Sequence, residues 1–233
     1  MSEKSVTPPK GHPTPKQRAG SAPPSRNPYA IAIAIGFVVL AGAYFLTRSG
    51  GDQGPSTEAS TATGGSSEYP FAVGSPGPGA MAPGFSLAST DGGKWSLAER
   101  KGSTVLLYFQ EGVMCQPCWD QLTDIEADWP KFKALGIDEV ATITVDDLDA
   151  LKQKAQIEGL ATPLLSDPDL GASKAYEANK YGMMGESTDG HSFVLIGPDG
   201  AIVWRADYGG APKYTMYLPV DQLITDMKAG RVG

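Results

Sequence analysis

The feature that most constrains the fold is a pair of cysteines, Cys115 and Cys118, which follow an uninterrupted apolar run at residues 104–109 and precede a helical pattern. They are the only cysteines among 233 residues. A structural disulfide usually links distant segments, because closing a longer loop constrains the unfolded chain more. A bridge across two residues restrains almost nothing, so the pair is typical of a redox dithiol that forms and breaks.

Zinc binding and inert burial are the alternatives to a redox dithiol. A structural zinc site takes about four Cys and His ligands. The chain has only two histidines, His12 and His191, and His12 lies in a Pro-rich tail. Cys115, Cys118 and His191 are therefore one ligand short of a closed structural site. A pair of inert buried thiols is possible, but their close spacing favours redox chemistry.

The order of predicted elements indicates an α/β fold. The apolar run at residues 104–109 predicts a buried strand, and apolar residues at spacings of three and four predict a helix over 122–135. Further strands are predicted at 139–145, 164–165, 192–196 and 201–205, and further helices at 146–160, 169–180 and 220–228. This order resembles the thioredoxin arrangement, a central mixed sheet flanked by helices.

The expected position of the dithiol defines its chemistry. Cys115 is predicted at a helix N-terminus, where the helix dipole can lower a thiol pKa from ~8.5 to between ~3.5 and ~7.5. Cys118, one turn further on, points inward and resolves the mixed disulfide. Pro117 suits the first helical turn. Trp119 is either a neighbour of the site or a core aromatic, and Glu111 is either a proton acceptor or an ordinary surface carboxylate.

An uncharged apolar run at residues 29–47 predicts a transmembrane helix at residues 28–47. Nineteen residues at ~1.5 Å each reach about 28 Å, close to the thickness of a hydrocarbon core. A cleaved signal peptide is the alternative, but no small-x-small site follows cleanly. The preceding tail is basic, with Lys4, Lys10, Lys16, Arg18 and Arg26 against Glu3. The positive-inside rule therefore predicts a single-pass plasma membrane protein with a cytoplasmic N-terminus.

Composition divides the chain into four predicted parts. They are a disordered basic cytoplasmic tail at 1–27, the transmembrane helix at 28–47, a flexible Gly/Ser/Thr/Pro linker at 48–80 and one extracytoplasmic domain at 81–233. Residues 70–233 carry 13 Lys and Arg against 22 Asp and Glu, a net charge of −9. This acidic balance argues against nucleic acid as a partner, whereas the predicted anchor implies contact with membrane lipid.

Several local motifs resemble the redoxin branch (AhpC/TSA, peroxiredoxin-like) of the thioredoxin superfamily. The CxxC follows a buried strand, and three flanking segments match the family pattern. These segments are Ala82-Pro83-Gly84-Phe85, Leu164-Leu165-Ser166-Asp167 and Ser192-Phe193-Val194-Leu195-Ile196-Gly197-Pro198-Asp199-Gly200. The resemblance covers nearly all of residues 81–233. It implies a thioredoxin-like fold and either dithiol exchange or peroxide reduction, with no cofactor.

Two departures from the peroxiredoxin pattern argue against peroxide reduction, and the second is a departure from the thioredoxin pattern as well. Peroxiredoxins carry Thr-x-x-Cys, in which the cysteine attacks peroxide. If Cys115 is that cysteine, the threonine position is occupied by Gly112. If Cys118 is that cysteine, the threonine position is occupied by Cys115. His191 stands near the late strand, where that family has an arginine and thioredoxins have a cis-proline. The expected partners are protein thiols and disulfides, or small hydroperoxides, outside the membrane, together with an unidentified electron donor.

A copper carrier is the alternative function. Copper chaperones of the SCO type use two cysteines and a distant histidine on this fold, and Cys115, Cys118 and His191 are candidate Cu(I) ligands. That family has three residues between its cysteines, whereas this chain has two. His191 can instead accept a proton from a thiol when neutral, or stabilise a thiolate when charged.

Overall fold

The strand Val105–Phe109 is fully buried and has neighbouring strands on both sides. Its continuous apolar sequence suits this position, because both faces of a central strand pack against other side chains. The computed structural model describes residues 62–232. Within that range the strand predicted at residues 104–109 is confirmed to within one residue.

The strands found within residues 62–232 form a single sheet. They are β1 (Ala62–Gly65), β2 (Pro70–Val73), β3 (Ser86–Ser89), β4 (Lys94–Ser96), β5 (Val105–Phe109), β6 (Glu139–Thr144), β7 (Leu164–Ser166), β8 (Ser192–Ile196) and β9 (Ile202–Asp207). Their order across the sheet is β1-β2-β9-β8-β5-β6-β7-β3-β4. Strands β5, β6 and β7 are parallel and the other pairs are antiparallel. The sheet is therefore mixed, as predicted.

Helices cover the sheet, and the side chains of β5 alternate between two hydrophobic cores. The α-helices are α1 (Gln116–Ala127), α2 (Trp129–Lys133), α3 (Leu148–Glu158), α4 (Gly171–Ala175) and α5 (Val220–Gly230), with 3-10 turns at Leu97–Arg100 and Ala178–Lys180. Leu106 and Tyr108 face the core that is shared with α1, α3 and α5. Leu107 and Phe109 face the second core. The dithiol belongs to the first of these two faces.

Two helices that were predicted as continuous are broken. The helix predicted over 122–135 ends at Ala127, and α2 follows it. Pro130 has no N–H to donate, and its ring clashes with the carbonyl group four residues earlier, so one helix cannot continue through it. The helix predicted over 169–180 consists instead of α4 and a 3-10 turn. Between them the backbone of Glu177 has a φ of 49°, which is not helical.

The flexible linker predicted for residues 48–80 is wrong for residues 62–73. There β1 and β2 form an antiparallel hairpin, and β2 also pairs with β9. The ring of Phe71 packs edge-on against Trp204 and Tyr208, with centroid distances of 6.2 and 5.1 Å. One buried aromatic side chain therefore attaches a segment whose overall composition is that of a linker.

The remaining predictions about the N-terminal part concern residues outside the described range. Residues 62–232 contain no helix that is long and apolar enough to cross a bilayer. The transmembrane helix predicted at 28–47 lies outside the described residues, as do the tail at 1–27 and residues 48–61 of the predicted linker.

Replacing Phe71 by alanine is expected to lower the free energy of unfolding by about 3 kcal/mol, because it removes a buried ring and leaves a cavity. Urea unfolding followed by tryptophan fluorescence measures this change. Ile157→Ala is the matched control, since Ile157 is 71% exposed and its loss is expected to change stability by less than about 0.5 kcal/mol. Equal unfolding midpoints for Phe71→Ala and the unmodified protein would contradict a structural role for the hairpin.

Candidate active site

Cys115 and Cys118 are joined by a disulfide at the start of α1, with their Cα atoms 5.4 Å apart. Cys115 is the N-cap residue of α1, and Cys118 lies in its first turn. The two cysteines differ in accessibility, since Cys115 is 9% exposed and Cys118 is 0% exposed. Cys115 is therefore the outer and Cys118 the inner member of the pair, in the positions that the sequence predicts.

The loop between β5 and α1 is held in place by Gly112 and Asp146. Gly112 has a φ of 89°, a conformation that favours glycine. A Cβ at this position would collide with the carboxylate of Asp146. Oδ2 of that carboxylate accepts hydrogen bonds from the N–H of Val113 at 2.8 Å and from the hydroxyl of Thr144 at 2.9 Å. These contacts anchor the backbone that leads to Cys115.

Pro117 and Trp119 both lie in the first turn of α1. Pro117 fits there because the N–H that it lacks has no partner within the helix. The indole Nε1 of Trp119 donates a hydrogen bond to the carbonyl oxygen of Gly112 at 3.0 Å. Nζ of Lys154 lies 5.4 Å from the centroid of the Trp119 ring. Trp119 is thus both a core aromatic and a neighbour of the dithiol, so the two roles left open by the sequence coincide.

The electrostatic environment of Cys115 favours negative charge. The positive end of the α1 dipole points at this residue, and the first turn contains no acidic side chain. The ammonium group of Lys154 contacts Trp119 in the same turn and is paired with Glu158 at 2.6 Å. An anion on the outer sulfur is therefore stabilised mainly by the helix N-terminus.

His191 lies directly before β8 and is buried on the same sheet face as the dithiol. Its Nδ1 is 3.0 Å from the hydroxyl oxygen of Tyr108, which also donates a hydrogen bond to the backbone carbonyl oxygen of Cys118 at 3.2 Å. The rings of Tyr108 and Phe193 stack with centroids 4.5 Å apart. A hydrogen-bonded tyrosine therefore connects His191 to the helix that carries the inner cysteine.

Burial determines the charge of His191. Loss of solvation lowers the pKa of His191 to about 3, so the imidazole is neutral at physiological pH. Of the two roles predicted from the sequence, a neutral imidazole that accepts a hydrogen bond from a thiol is available. A charged imidazole that stabilises a thiolate is not. Within residues 62–232 no three His, Cys, Asp or Glu side chains form a group that could hold a metal ion.

Glu111 anchors a neighbouring loop. Its side chain is largely buried, and Oε1 accepts hydrogen bonds from the N–H groups of Met183 and Met184 at 2.5 and 3.3 Å. The methionine side chains themselves are 56% and 58% exposed. The observed contacts of Glu111 are therefore those of a structural carboxylate, and none of them supports the predicted role as a proton acceptor for the inner thiol.

Sequence reasoning missed Tyr108 and the pair formed by Gly112 and Asp146. A tyrosine inside an otherwise apolar buried strand is a usable indication, because its hydroxyl needs a partner once it is buried. The partners themselves lie far away in sequence, and His191 is 83 residues from Tyr108.

The position directly before β8, where thioredoxins have a cis-proline, is occupied by His191. Within residues 62–232 the cis peptide bonds precede Pro76 and Pro212, and neither proline lies directly before β8.

A mixed sheet flanked by helices, with a disulfide-forming CxxC at the N-terminus of the helix after a central strand, defines a thioredoxin-like redox protein. Residues 78–205, more than half of the chain, match the AhpC/TSA family. The chain belongs to that family. The resemblance predicted from the sequence is thereby confirmed.

Two relatives whose names indicate different activities match the chain over similar lengths. A candidate peroxiredoxin of Mycobacterium tuberculosis (strain CDC 1551 / Oshkosh) is 34% identical over 131 residues, which are 54% of this chain and 82% of that protein. The thiol-disulfide oxidoreductase ResA of Bacillus subtilis (strain 168) is 27% identical over 125 residues, which are 54% of this chain and 64% of ResA. The family and these relatives identify the chain as an oxidoreductase.

Solved structures support the fold. Peroxidoxin BcpB of Mycobacterium tuberculosis superposes with a TM-score of 0.54 at 18% identity, over 66% of this chain and 98% of BcpB. The reduced 2-Cys peroxiredoxin of Plasmodium vivax superposes with a TM-score of 0.55 at 21% identity, over 65% of this chain and 80% of that one. These likenesses establish the thioredoxin-like architecture.

Proposed function

We propose that the chain is a membrane-tethered, extracytoplasmic thiol–disulfide oxidoreductase in which Cys115 attacks and Cys118 resolves. The observation that carries the proposal is the asymmetry of the dithiol. Cys115 keeps 9% of its surface exposed at a helix N-terminus, whereas Cys118 is 0% exposed in the first helical turn. A thiolate stabilised at an accessible position is both a nucleophile and a good leaving group.

The reaction proceeds by two thiol–disulfide exchanges. The thiolate of Cys115 attacks one sulfur of a substrate disulfide, and the other sulfur leaves as a thiolate that takes a proton from water. Cys118 then attacks the sulfur of Cys115, which releases the second substrate sulfur and closes the Cys115–Cys118 disulfide. Two electrons pass from the dithiol to the substrate. A donor with dithiol chemistry must return two electrons before the next cycle, and the same steps reversed oxidise a substrate dithiol.

Protein thiols and disulfides outside the membrane are the substrates that best fit this chemistry. The relative ResA is named a thiol-disulfide oxidoreductase, which supports the same class of reaction here. The acidic balance of residues 70–233 disfavours nucleic acid as a partner.

Peroxide reduction is the second candidate, favoured by the family and by the relative named as a candidate peroxiredoxin. Two observations argue against peroxide reduction as the main activity. The loop geometry at residue 112 favours glycine and leaves no room for the side chain of the threonine that precedes a peroxidatic cysteine. Cys118, the other candidate for that role, is 0% exposed in the disulfide form and therefore closed to peroxide.

The membrane tether is part of the proposal because of the sequence at residues 1–47. The uncharged apolar run and the basic segment before it support a single-pass helix with the redoxin domain on the outer side of the plasma membrane. A linker at residues 48–61 would separate that helix from the first strand of the domain.

A topology map tests the tether. Reporter fusions or single-cysteine labelling are expected to place residue 100 outside the membrane and residue 15 inside, because the positive flank of a span stays in the cytoplasm. Recovery of a freely soluble mature protein that has been cut near residue 50 would contradict the anchor and leave the redox proposal intact.

The roles of the two cysteines are tested by trapping. Cys118→Ser is expected to accumulate mixed disulfides with substrate proteins, because the attacking cysteine remains and the resolving cysteine is gone. Non-reducing electrophoresis with mass spectrometry measures the adducts. Cys115→Ser is the matched control and is expected to trap none, since Cys118 is buried.

The reverse pattern, with adducts only in Cys115→Ser, would contradict the assignment. Cys118 would then be the attacking residue, and the consumption of hydrogen peroxide by the unmodified protein should be measured. Adducts in neither variant would contradict dithiol exchange with proteins altogether.

A further inference from the structure

The hydroxyl group of Tyr108 lies between two partners and has one proton to donate. Its oxygen is 3.2 Å from the backbone carbonyl oxygen of Cys118 and 3.0 Å from Nδ1 of His191. A carbonyl oxygen can only accept, whereas Nδ1 either donates or accepts according to the tautomer. If the proton pointed at Nδ1, two oxygen atoms with lone pairs would face each other at 3.2 Å. The Tyr108 proton therefore goes to Cys118, and Nδ1–H of His191 donates to the Tyr108 oxygen.

This tautomer leaves Nε2 of His191 as a bare acceptor. Nε2 is buried and has no hydrogen-bond partner among residues 62–232. Aromatic rings surround the imidazole, with the centroids of Tyr108, Phe193 and Tyr208 at 5.0, 5.2 and 6.3 Å. A buried acceptor without a donor is unfavourable, so a donor is expected in some state of the protein.

Both members of the pair are neutral. Burial lowers the pKa of His191 to about 3. Burial, with a smaller contribution from the negative charge of Glu111, raises the pKa of Tyr108 well above its usual value. The pair therefore acts through hydrogen bonds and the choice of tautomer, with no resting charge of its own.

Two groups on the same face of the sheet can supply the missing donor. One is the thiol of Cys118, which exists only when the disulfide is reduced and which is closed to solvent. The other is the side-chain amide of Gln110, whose Nε2 is also unpartnered. Extending the register of β5 and β8 by one residue places Gln110 opposite His191. Oε1 of Gln110 already accepts the N–H of Gly112 at 3.3 Å, which ties this side chain to the loop.

We propose that Tyr108 is a positioning residue that fixes the Nδ1–H tautomer of His191, so that Nε2 accepts the thiol hydrogen of Cys118 in the reduced protein. The inference rests on the proposed function, in which Cys118 resolves the mixed disulfide. A fully buried thiol cannot pass its proton directly to water. His191 supplies an acceptor on the sheet face that α1 covers.

The resolving step conserves atoms, electrons and protons. A bond forms between the sulfurs of Cys118 and Cys115 as the bond between Cys115 and the substrate sulfur breaks. Nε2 of His191 accepts a hydrogen bond from the thiol of Cys118 and polarises its S–H bond, and the thiol proton ends on the departing substrate thiolate. The dithiol is oxidised by two electrons, the substrate sulfur is reduced to a thiol, and the imidazole is neutral before and after the step.

Nitrogen NMR of the full chain labelled with ¹⁵N-histidine tests the tautomer directly. His12 and His191 are the only histidines, and His12→Gln assigns the two sets of signals. The reduced protein is expected to show a protonated Nδ1 and a hydrogen-bonded Nε2 for His191. Cys118→Ala is expected to shift the Nε2 signal towards that of a bare nitrogen, because the donor is removed.

Stopped-flow kinetics with Ellman's reagent measure the resolving step without a physiological substrate. The first release of the coloured thiolate reports attack by Cys115, and the second reports attack by Cys118. Tyr108→Phe keeps the ring but removes the hydroxyl group. It is expected to slow the second release by about 10-fold or more and to leave the first release unchanged. The size of the effect follows the losses caused by removing residues that orient metal-bound histidines. Tyr176→Phe is the matched control, since Tyr176 is equally buried but belongs to the second core. Its hydroxyl donates a hydrogen bond to the carbonyl oxygen of Pro83 at 2.8 Å. Tyr176→Phe is expected to leave both phases unchanged.

An Nε2–H tautomer in the reduced protein would overturn the inference. An Nε2 signal that does not change in Cys118→Ala would also overturn it and would assign the hydrogen-bond donor to Gln110. An unchanged second release in Tyr108→Phe would also overturn it. The NMR comparison needs no Tyr108 variant, so it decides the matter even if that variant fails to fold. Failure of substrate trapping alongside the expected NMR and kinetic results would reject the proposed function alone.

Discussion

Strand β5 ends at Phe109 and α1 begins at Gln116, and the loop between them carries the chain from the buried centre of the sheet to a helix N-terminus. That loop is held by hydrogen bonds rather than by regular structure. The Asp146 carboxylate accepts the N–H of Val113, and the indole of Trp119 donates to the carbonyl oxygen of Gly112. Because both contacts converge on one turn, they fix together the outer position of Cys115, the burial of Cys118 and the direction of the helix dipole.

The polar groups behind the dithiol are neutral, and this follows from where they lie. An ionised group in an apolar core is strongly unfavourable unless it is paired. On the dithiol face of the sheet, Tyr108 and His191 form a neutral hydrogen-bonded pair. Glu111 keeps its carboxylate at the edge, where the amides of a neighbouring loop bind it. At Cys115 the helix N-terminus can stabilise a thiolate.

The parts of the fold that sequence analysis predicted are those with strong local patterns. The continuous apolar run of β5, the hairpin of β8 and β9 and the placement of the CxxC at a helix N-terminus all follow from residues that are close together in the chain. The hairpin at residues 62–73 was missed because Phe71 is its one buried apolar side chain, in a segment rich in small residues, and its pairing with β9 is a long-range contact.

The parts of the site that sequence analysis could not predict depend on long-range contacts. The contact between Tyr108 and His191 exists only because β5 and β8 are neighbours in the sheet. The anchoring of Met183 by Glu111 joins residues 72 positions apart. Neither pairing leaves a periodic pattern in the sequence, so the residues could be singled out as candidates while their partners could not.

Equilibration of the purified protein with glutathione or dithiothreitol buffers, followed by alkylation and mass measurement, tests the central claim that the Cys115–Cys118 disulfide opens and closes in use. The account predicts a fully reversible two-electron transition with a reduction potential between about −270 and about −120 mV, the range of thioredoxin-like oxidoreductases. A potential below about −300 mV would contradict the account, because it is the mark of a structural disulfide that resists the surrounding thiol pool.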